Sequence, residues 1–336
     1  MSHNRRIFLK GLASVGVGLS IIQSPKLGLA QQLEDLPKGK RVGIIGLDTS
    51  HSLAFTKAFN SPNPDPSIKG YRVVAAYPYG SKTIESSAKR IPGYIKEIKE
   101  YGVKIVNSID SLLDQVDVVL LETNDGRLHF EQALPVIKAG KKLFIDKPIA
   151  ASLSDAKAIF EAADKNGVPI FSSSSLRYVK NIPDIVSGKL IGNITGVDTY
   201  SPAIIEPTHP DLFWYGIHGV EMLFTIMGPG CMQVSRVHTQ DTDMVVGIWK
   251  DDRIGTFRGI RRGKHAFGGI AFGEKGQVAI SPYEGYLPLL YQIAEFFDSG
   301  VPPVNPIQTL EILAFMEAAD ESKKLGGQSV SIPQLT

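Results

Sequence analysis

The sequence predicts a two-domain chain: a doubly wound, mostly parallel α/β sheet over residues 40–174, then an open, mostly antiparallel sheet over residues 175–310, with a C-terminal helix and tail over 311–336. Three observations predict it. Short apolar runs alternate with helical patterns as far as Phe171, as parallel strands joined by crossover helices do. Beyond Gly192 the runs alternate apolar with polar residues, the pattern of strands with one face in water. A length of 336 residues suits two domains.

In the first domain, Arg41-Val-Gly-Ile-Ile-Gly46 is a buried strand ending in glycine. Ser50 can cap a helix from His51 to Asn60, with Leu53, Phe55, Thr56 and Phe59 on its apolar face. Tyr71–Ala76 is the second strand, and Ser86–Tyr101 a helix interrupted at Pro92. Lys104–Val106 is a short strand, Ser108–Leu113 a short helix and Val116–Leu121 a buried strand. His129–Ala139 is a helix stopped by Gly140; Lys142–Ile145 is a strand running into Asp146-Lys147-Pro148. Ser154 begins a helix closed by Gly167, and Val168–Phe171 is the last strand. In such a sheet ligands sit at the carboxyl ends of the strands. The residues after Gly46, Ala76, Leu121 and Ile145 therefore surround one crevice.

In the second domain, Gly192–Tyr200, Met232–Val237, Thr242–Trp249, Arg253–Arg261, His265–Phe272 and Gln277–Ile280 read as strands. Asp251-Asp252 marks a hairpin turn.

Composition is ordinary for a globular protein, 43% hydrophobic and 21% charged. The formal net charge is +2, but the first thirty residues hold Arg5, Arg6, Lys10 and Lys26 and no acid, so the remainder carries −2. That balance argues against nucleic acid or an anionic membrane as the partner. Cys231 is the single cysteine, so no internal disulfide forms. It reads as a small buried residue.

Asn4-Arg5-Arg6-Ile7-Phe8-Leu9-Lys10 resembles a twin-arginine export signal. The apolar run Gly11–Ile22 is too short for a stable membrane anchor. Pro25 and Gly28-Leu29-Ala30 supply a break and small residues for cleavage. The expectation is an exported, periplasmic protein with residues 1–30 as signal and 31–39 as linker; an uncleaved amphipathic N-terminus is the other reading.

An apolar strand ending at an acidic-Lys-Pro triplet, preceded by the stretch Glu131-Gln-Ala133 to Ala139-Gly140-Lys141, resembles the Gfo/Idh/MocA oxidoreductase family. Leu289–Pro303 and Thr309–Gly327 are similar to that family's closing helices, and Arg177-Tyr178 to its entrance into the substrate domain. Gly216, His218 and Glu221 match its Asp-x-Gly-x-His-x-x-Asp helix, with Glu for the last Asp and Trp214 for the first. The resemblance implies a Rossmann domain, NAD or NADP as cofactor, a sugar-like or polyol substrate, and a homodimer or homotetramer. It implies Lys147 and His218 as the acid/base pair for moving a hydroxyl proton while hydride leaves the carbon. Lys147 needs partial burial for that role. Arg177, Tyr178, Trp214 and Tyr215 are the candidate substrate residues; for His218, Trp214 and Tyr215 a place in the core is the alternative.

The phosphate loop departs from the Gly-x-Gly-x-x-Gly fingerprint. Gly46 holds the first place, Asp48 the second and His51 the third. A carboxylate about 4 Å from a phosphate charge costs roughly 4 kcal/mol at an effective dielectric near 20. Either Asp48 turns away to bond backbone amides at the helix start, or the loop holds a phosphate differently. Thr49, Ser50 and His51 complete this polar segment. No acid stands at the end of the second strand to hold ribose hydroxyls. Tyr77 is there instead, with Ser81 and Lys82 beyond it, which either hold a 2′-phosphate or form a solvated loop. After Leu121, Thr123, Asn124 and His129 match the family's ribose-side loop loosely, and Glu122 at the strand end is a further candidate. With Asp146, these are the candidate cofactor residues. His51, His129, His209 and His218 lack metal-ligand spacing, so no metal is expected. A lyase or isomerase using the cofactor transiently, and a non-catalytic carbohydrate-binding protein, are the alternative functions.

Overall fold

The structure is a computed structural model that describes residues 38–335. The export segment and most of the linker expected at 31–39 lie outside the described residues.

The first sheet has six strands, β1 (Arg41–Ile45), β2 (Arg72–Tyr77), β3 (Lys104–Ile105), β4 (Val118–Leu121), β5 (Leu143–Asp146) and β6 (Ile170–Ser173). Their order is β3-β2-β1-β4-β5-β6, every pair parallel. This is the doubly wound order whose chain reversal, between β1 and β4, opens a crevice at the strand ends. β4, β5 and β6 are buried along their whole length, so they read as unbroken apolar runs. The crossover helices are α1 (Ser50–Phe59), α2 (Glu85–Ala88), α3 (Ile91–Lys99), α4 (Ile109–Leu113), α5 (His129–Lys138) and α6 (Leu153–Lys165).

Three helix starts differ from the sequence reading. Thr49, not Ser50, is the cap of α1, its hydroxyl accepting from the His51 amide at 3.5 Å. Ser152, not Ser154, caps α6, accepting from the Asp155 amide at 3.1 Å. The helix expected over Ser86–Tyr101 is interrupted, but at Lys89–Arg90 between α2 and α3; Pro92 itself lies in the first turn of α3, where its missing N–H is not needed.

After β6 come α7 (Ile182–Val186), β7 (Ile194–Pro202), α8 (Asp211–Trp214) and α9 (Ile217–Met227). Then follow β8 (Cys231–His238), β9 (Thr242–Trp249), β10 (Ile254–Ile260), β11 (Gly268–Gly273) and β12 (Gly276–Ala279). α10 (Leu287–Ser299), α11 (Pro306–Lys324) and β13 (Val330–Ser331) end the chain. The second sheet runs β12-β11-β7-β10-β9-β8-β13. It is antiparallel except for β7 beside β10. Asp252, at φ 64°, makes the turn between β9 and β10. The strand expected from His265 begins only at Gly268.

α9 lies on the inner face of this sheet. Gly219 lets it approach, since a Cβ there would come within 2.4 Å of the Phe257 ring. α10 crosses back to the first sheet: its Phe296 packs edge-on against Phe171, which meets Phe144. The chain after the second sheet thus returns to the first core and holds the crevice between the two sheets.

Candidate active site

The crevice at the ends of β1, β4 and β5 is a cavity of about 470 Å³ closed on its far side by α8, α9 and the loop before α10. Its nucleotide-domain wall is made by Thr49, Ser50 and His51 from the start of α1, Asn124 after β4, and Lys147 after β5. Trp214, Tyr215 and His218 form the wall opposite. Side chains far apart in the chain meet here because every strand of a parallel sheet ends on the same edge.

At the turn from β1, Gly46 has φ +89°, and a Cβ on it would stand 2.5 Å from the Thr123 amide nitrogen. The first glycine of the fingerprint therefore keeps its usual function. Asp48 does not point into the crevice. It is fully buried, and its carboxylate accepts from the Ser81 amide at 2.9 Å and the Asn124 amide at 3.0 Å. These donors come from the loops after β2 and β4 rather than the helix start. Burial nevertheless raises its pKa. The Gly46 and Leu47 amides donate to the carbonyls of Tyr77 and Pro78 at 2.9 and 3.0 Å. Residues 77–81 thus form a strap over the first half of the phosphate loop, and Gly46, Leu47 and Asp48 are buried beneath it.

The Lys147 side chain is only 9% exposed, and its Nζ stands 3.6 Å from Asp146 Oδ2. His218 is buried, with Nδ1 2.8 Å from Ser174 Oγ. Burial, then the charges of Lys147 and His51, hold its pKa well below the ordinary histidine value. Its ring is neutral at neutral pH, with Nδ1 engaged by the serine.

Beneath Lys147, His51 Nδ1 is 3.0 Å from Asp146 Oδ2 and 4.0 Å from Glu122 Oε2. Glu122 is fully buried and Asp146 nearly so. Burial, then the Asp146 charge, drives the Glu122 pKa up. Burial also acts on Asp146, but the positive charges of His51 and Lys147 outweigh it and draw its pKa down.

Several residues expected at the site are elsewhere. Ser81 is no phosphate ligand: it is buried, with Oγ donating to Asp125 at 2.9 Å. Thr123 donates to Gln132 at 2.6 Å, and its carbonyl lies 2.6 Å from His129 Nε2. The other ring nitrogen of His129 faces the Ile149 carbonyl at 3.1 Å, so this histidine ties loops together. Arg177 is drawn into the interior, where Nε donates to Glu221 at 2.9 Å and a second nitrogen to Gln308 at 2.7 Å. Tyr178 is half-buried, but its hydroxyl is enclosed and does not line the crevice, and burial pushes its pKa to about 12. Tyr77 and Lys82 line a second cavity, of about 890 Å³, on the other side of the strap.

The sequence reading missed Arg90, Phe267, Tyr283 and Tyr286 on the crevice wall. The Arg90 guanidinium reaches the Asp48 carbonyl at 3.4 Å, placing a fixed cation beside the phosphate loop. Tyr286 meets His51 edge-on at 4.8 Å between centroids. The cluster Tyr283-Glu-Gly-Tyr286 is visible in the sequence, but nothing in its spacing connects it to the strand ends.

A dinucleotide extended along the strand ends finds suitable groups in both halves. The crevice offers Lys147, Asn124 and the first turn of α1 to a nicotinamide riboside. The second cavity offers the Tyr77 and Tyr79 rings, Asn107 and Lys82 to an adenosine. The turn at Gly46 and the cation of Arg90 suit the phosphates. The strap covers the path between the halves, so these residues fit NAD or NADP with residues 77–81 displaced from their hydrogen bonds to Gly46 and Leu47.

The fold and crevice define a two-domain protein with a Rossmann nucleotide-binding domain and a sheet domain that completes its site. A family model described as "Oxidoreductase family, NAD-binding Rossmann fold", that of Gfo/Idh/MocA, matches residues 40–174. Over those residues the chain is similar to the Gfo/Idh/MocA oxidoreductase family. Among curated relatives, 1,5-anhydro-D-fructose reductase of Ensifer adhaerens is 36% identical over 97 residues, 28% of this chain and 28% of its own length. Inositol 2-dehydrogenase of Salmonella typhimurium is 28% identical over 127 residues, 38% of this chain and 32% of its own length. The chain therefore spans about a third or less of these two relatives. The solved myo-inositol dehydrogenase of Lactobacillus casei, in complex with NAD(H) and myo-inositol, superposes with a TM-score of 0.69 at 16% identity, over 88% of this chain and 97% of that one. At that identity the likeness is one of fold.

Proposed function

We propose that this protein is an NAD(P)-dependent oxidoreductase acting on a hydroxyl of a sugar or polyol, with its cofactor tightly held. The observation that carries the reading is the convergence of Lys147 and His218 on one crevice beside the start of α1. A bound NAD or NADP supplies the hydride acceptor, with Asn124, Ser50 and Lys147 at its nicotinamide end and Arg90 near its phosphates.

The remaining work falls to the chain's own side chains. Ser174 orients the His218 ring, and with Nδ1–H donated to Ser174 Oγ, Nε2 carries the lone pair that accepts the substrate hydroxyl proton. Lys147, anchored beside Asp146, donates to the same oxygen and stabilises the charge that develops there. Trp214 and Tyr215 offer flat apolar faces to a sugar ring. The strap over the phosphate loop supports tight retention. Relatives named as acting on inositol and on anhydrofructose support the substrate class.

Two further parts of the reading rest on separate observations. The outer face of the second sheet exposes Val237, Ile248, Ile254, Ile270 and Phe272, an apolar surface suited to a homodimer or homotetramer. Export rests on the Arg5-Arg6 motif; Arg5→Lys with Arg6→Lys is expected to leave the protein in the cytoplasm on fractionation, and normal export of that double variant removes the reading.

The test of the main reading is native mass spectrometry of the purified full chain, joined to turnover on a polyol panel. Co-purifying NAD or NADP, with turnover lost in Lys147→Ala while the nucleotide stays bound, is the expected result. A protein that carries no nucleotide and refuses added NAD and NADP refutes it.

A further inference from the structure

We infer that His51, Glu122 and Asp146 form a divalent-cation site at the inner edge of the crevice, suited to a borderline transition-metal ion such as Zn²⁺ or Mn²⁺. The inference stands on the cluster alone and does not depend on the oxidoreductase reading.

The three side chains are delivered by three elements: the first turn of α1, the end of β4 and the last residue of β5. One ligand atom from each lies within 4.8 Å of the other two. Around a tetrahedral ion with bonds of about 2.1 Å, neighbouring ligand atoms stand about 3.4 Å apart. His51 Nδ1 and Asp146 Oδ2 are already at 3.0 Å. The Glu122 carboxylate, 4.0 Å from His51 Nδ1, needs only a small inward shift.

The polar atoms here lack partners. Both oxygens of Glu122, both of Asp146 and Nδ1 of His51 are buried without a hydrogen bond, although Asp146 is at ion-pair distance from His51. Glu122 is 0% exposed and Asp146 1%. Buried polar atoms are ordinarily paired; the two Glu122 oxygens have no donor, and His51 Nδ1 and Asp146 Oδ2 have chiefly each other, so the cluster has room for a cation. Among the described residues, no lysine or arginine nitrogen lies within 4.0 Å of Glu122, and Lys147 serves only Asp146. A dication would balance both carboxylates.

The donor set indicates the class of ion. Magnesium and calcium favour oxygen alone, whereas one imidazole with two carboxylates suits zinc, manganese or ferrous iron. Three protein ligands leave coordination positions for water or a ligand oxygen. His51 also lines the crevice, so the ion has a route from solvent. His51, in place of the third glycine, and the buried Glu122 after β4 are accounted for together, since each supplies a ligand.

The competing state is metal-free, with Glu122 protonated and its proton shared toward Asp146. The full-length protein, stripped with a chelator and dialysed, is titrated with ZnCl₂ and separately with MnCl₂. Bound metal is counted by plasma mass spectrometry and affinity measured by calorimetry. The expected result is one equivalent of either ion, with a raised thermal midpoint. Glu122→Gln weakens binding by at least about tenfold. His51→Asn does the same and serves if Glu122→Gln fails to fold. Asp110→Asn, in the second cavity, binds like the wild type. Absence of stoichiometric uptake of both ions, or folded Glu122→Gln and His51→Asn proteins that bind as tightly as the wild type, overturns the site.

Discussion

The Asp48 carboxylate accepts the Ser81 amide at 2.9 Å, joining the turn after β1 to the loop after β2. The acid that by its place in the sequence would oppose a phosphate is therefore spent on backbone, and the strap it holds covers the loop a phosphate would approach. Asp48→Ala leaves the Ser81 and Asn124 amides without their acceptor. We expect it to destabilise the fold by about 2 kcal/mol in urea melts and to speed nucleotide release in stopped-flow fluorescence. Gly80→Ala attacks the same contact sterically, since a Cβ there would stand 2.1 Å from Asp48 Oδ2. Unchanged release in both variants would show that the strap does not control exchange.

Ser174 is a positioning residue for His218, through the 2.8 Å contact to Nδ1. Ser174→Ala should lower kcat by about tenfold or more with a smaller change in KM, and Ser174→Thr should restore part of the rate. Equal losses in both variants would point to packing rather than ring orientation.

Asp243 tests the pH dependence of stability. It is fully buried and accepts from Arg236 Nε at 3.0 Å and His238 Nδ1 at 2.7 Å, with Arg261 as a third partner. Burial alone would raise its pKa, but hydrogen bonds from Arg261 and Arg236 outweigh that and lower it. A carboxyl with a depressed folded-state pKa stabilises the protein above its unfolded value, near 3.9, and the contribution is lost as pH falls through the folded value. Asp243→Asn should lower stability at pH 7 by about 3 kcal/mol and flatten the acid limb of a denaturation series. An unchanged slope below pH 4 would refute this assignment.

Ile254 and Ile248 sit side by side on adjacent strands of the open sheet face, 52% and 39% exposed. If that face joins subunits, Ile254→Glu should produce monomers in sedimentation or light scattering without loss of secondary structure. An unaltered mass would move the interface elsewhere.

Much of the fold is legible in the sequence. β4 and β5 are continuous apolar runs because both faces of a parallel sheet are covered, and β9 and β10 alternate because one face is open. Lys147 and His218 are legible because each sits in a local pattern, a strand-end triplet and a Gly-x-His helix. The capping serines were misread by one or two residues because several hydroxyls near a helix start can serve, and only the backbone angles choose among them.

By itself, then, the sequence determined the two sheets and the turn at Gly46, which follow from local pattern, while Lys147 and His218 were singled out by resemblance to a family's motifs rather than by spacing. The tertiary structure alone decided that Asp48 turns toward Ser81, that Arg177 and Tyr178 go inward, and that His51, Glu122 and Asp146 meet. Those outcomes depend on which strand ends lie side by side and which loops cross them. A carboxylate's direction is set by where donors from distant segments arrive, and no spacing along the chain encodes that.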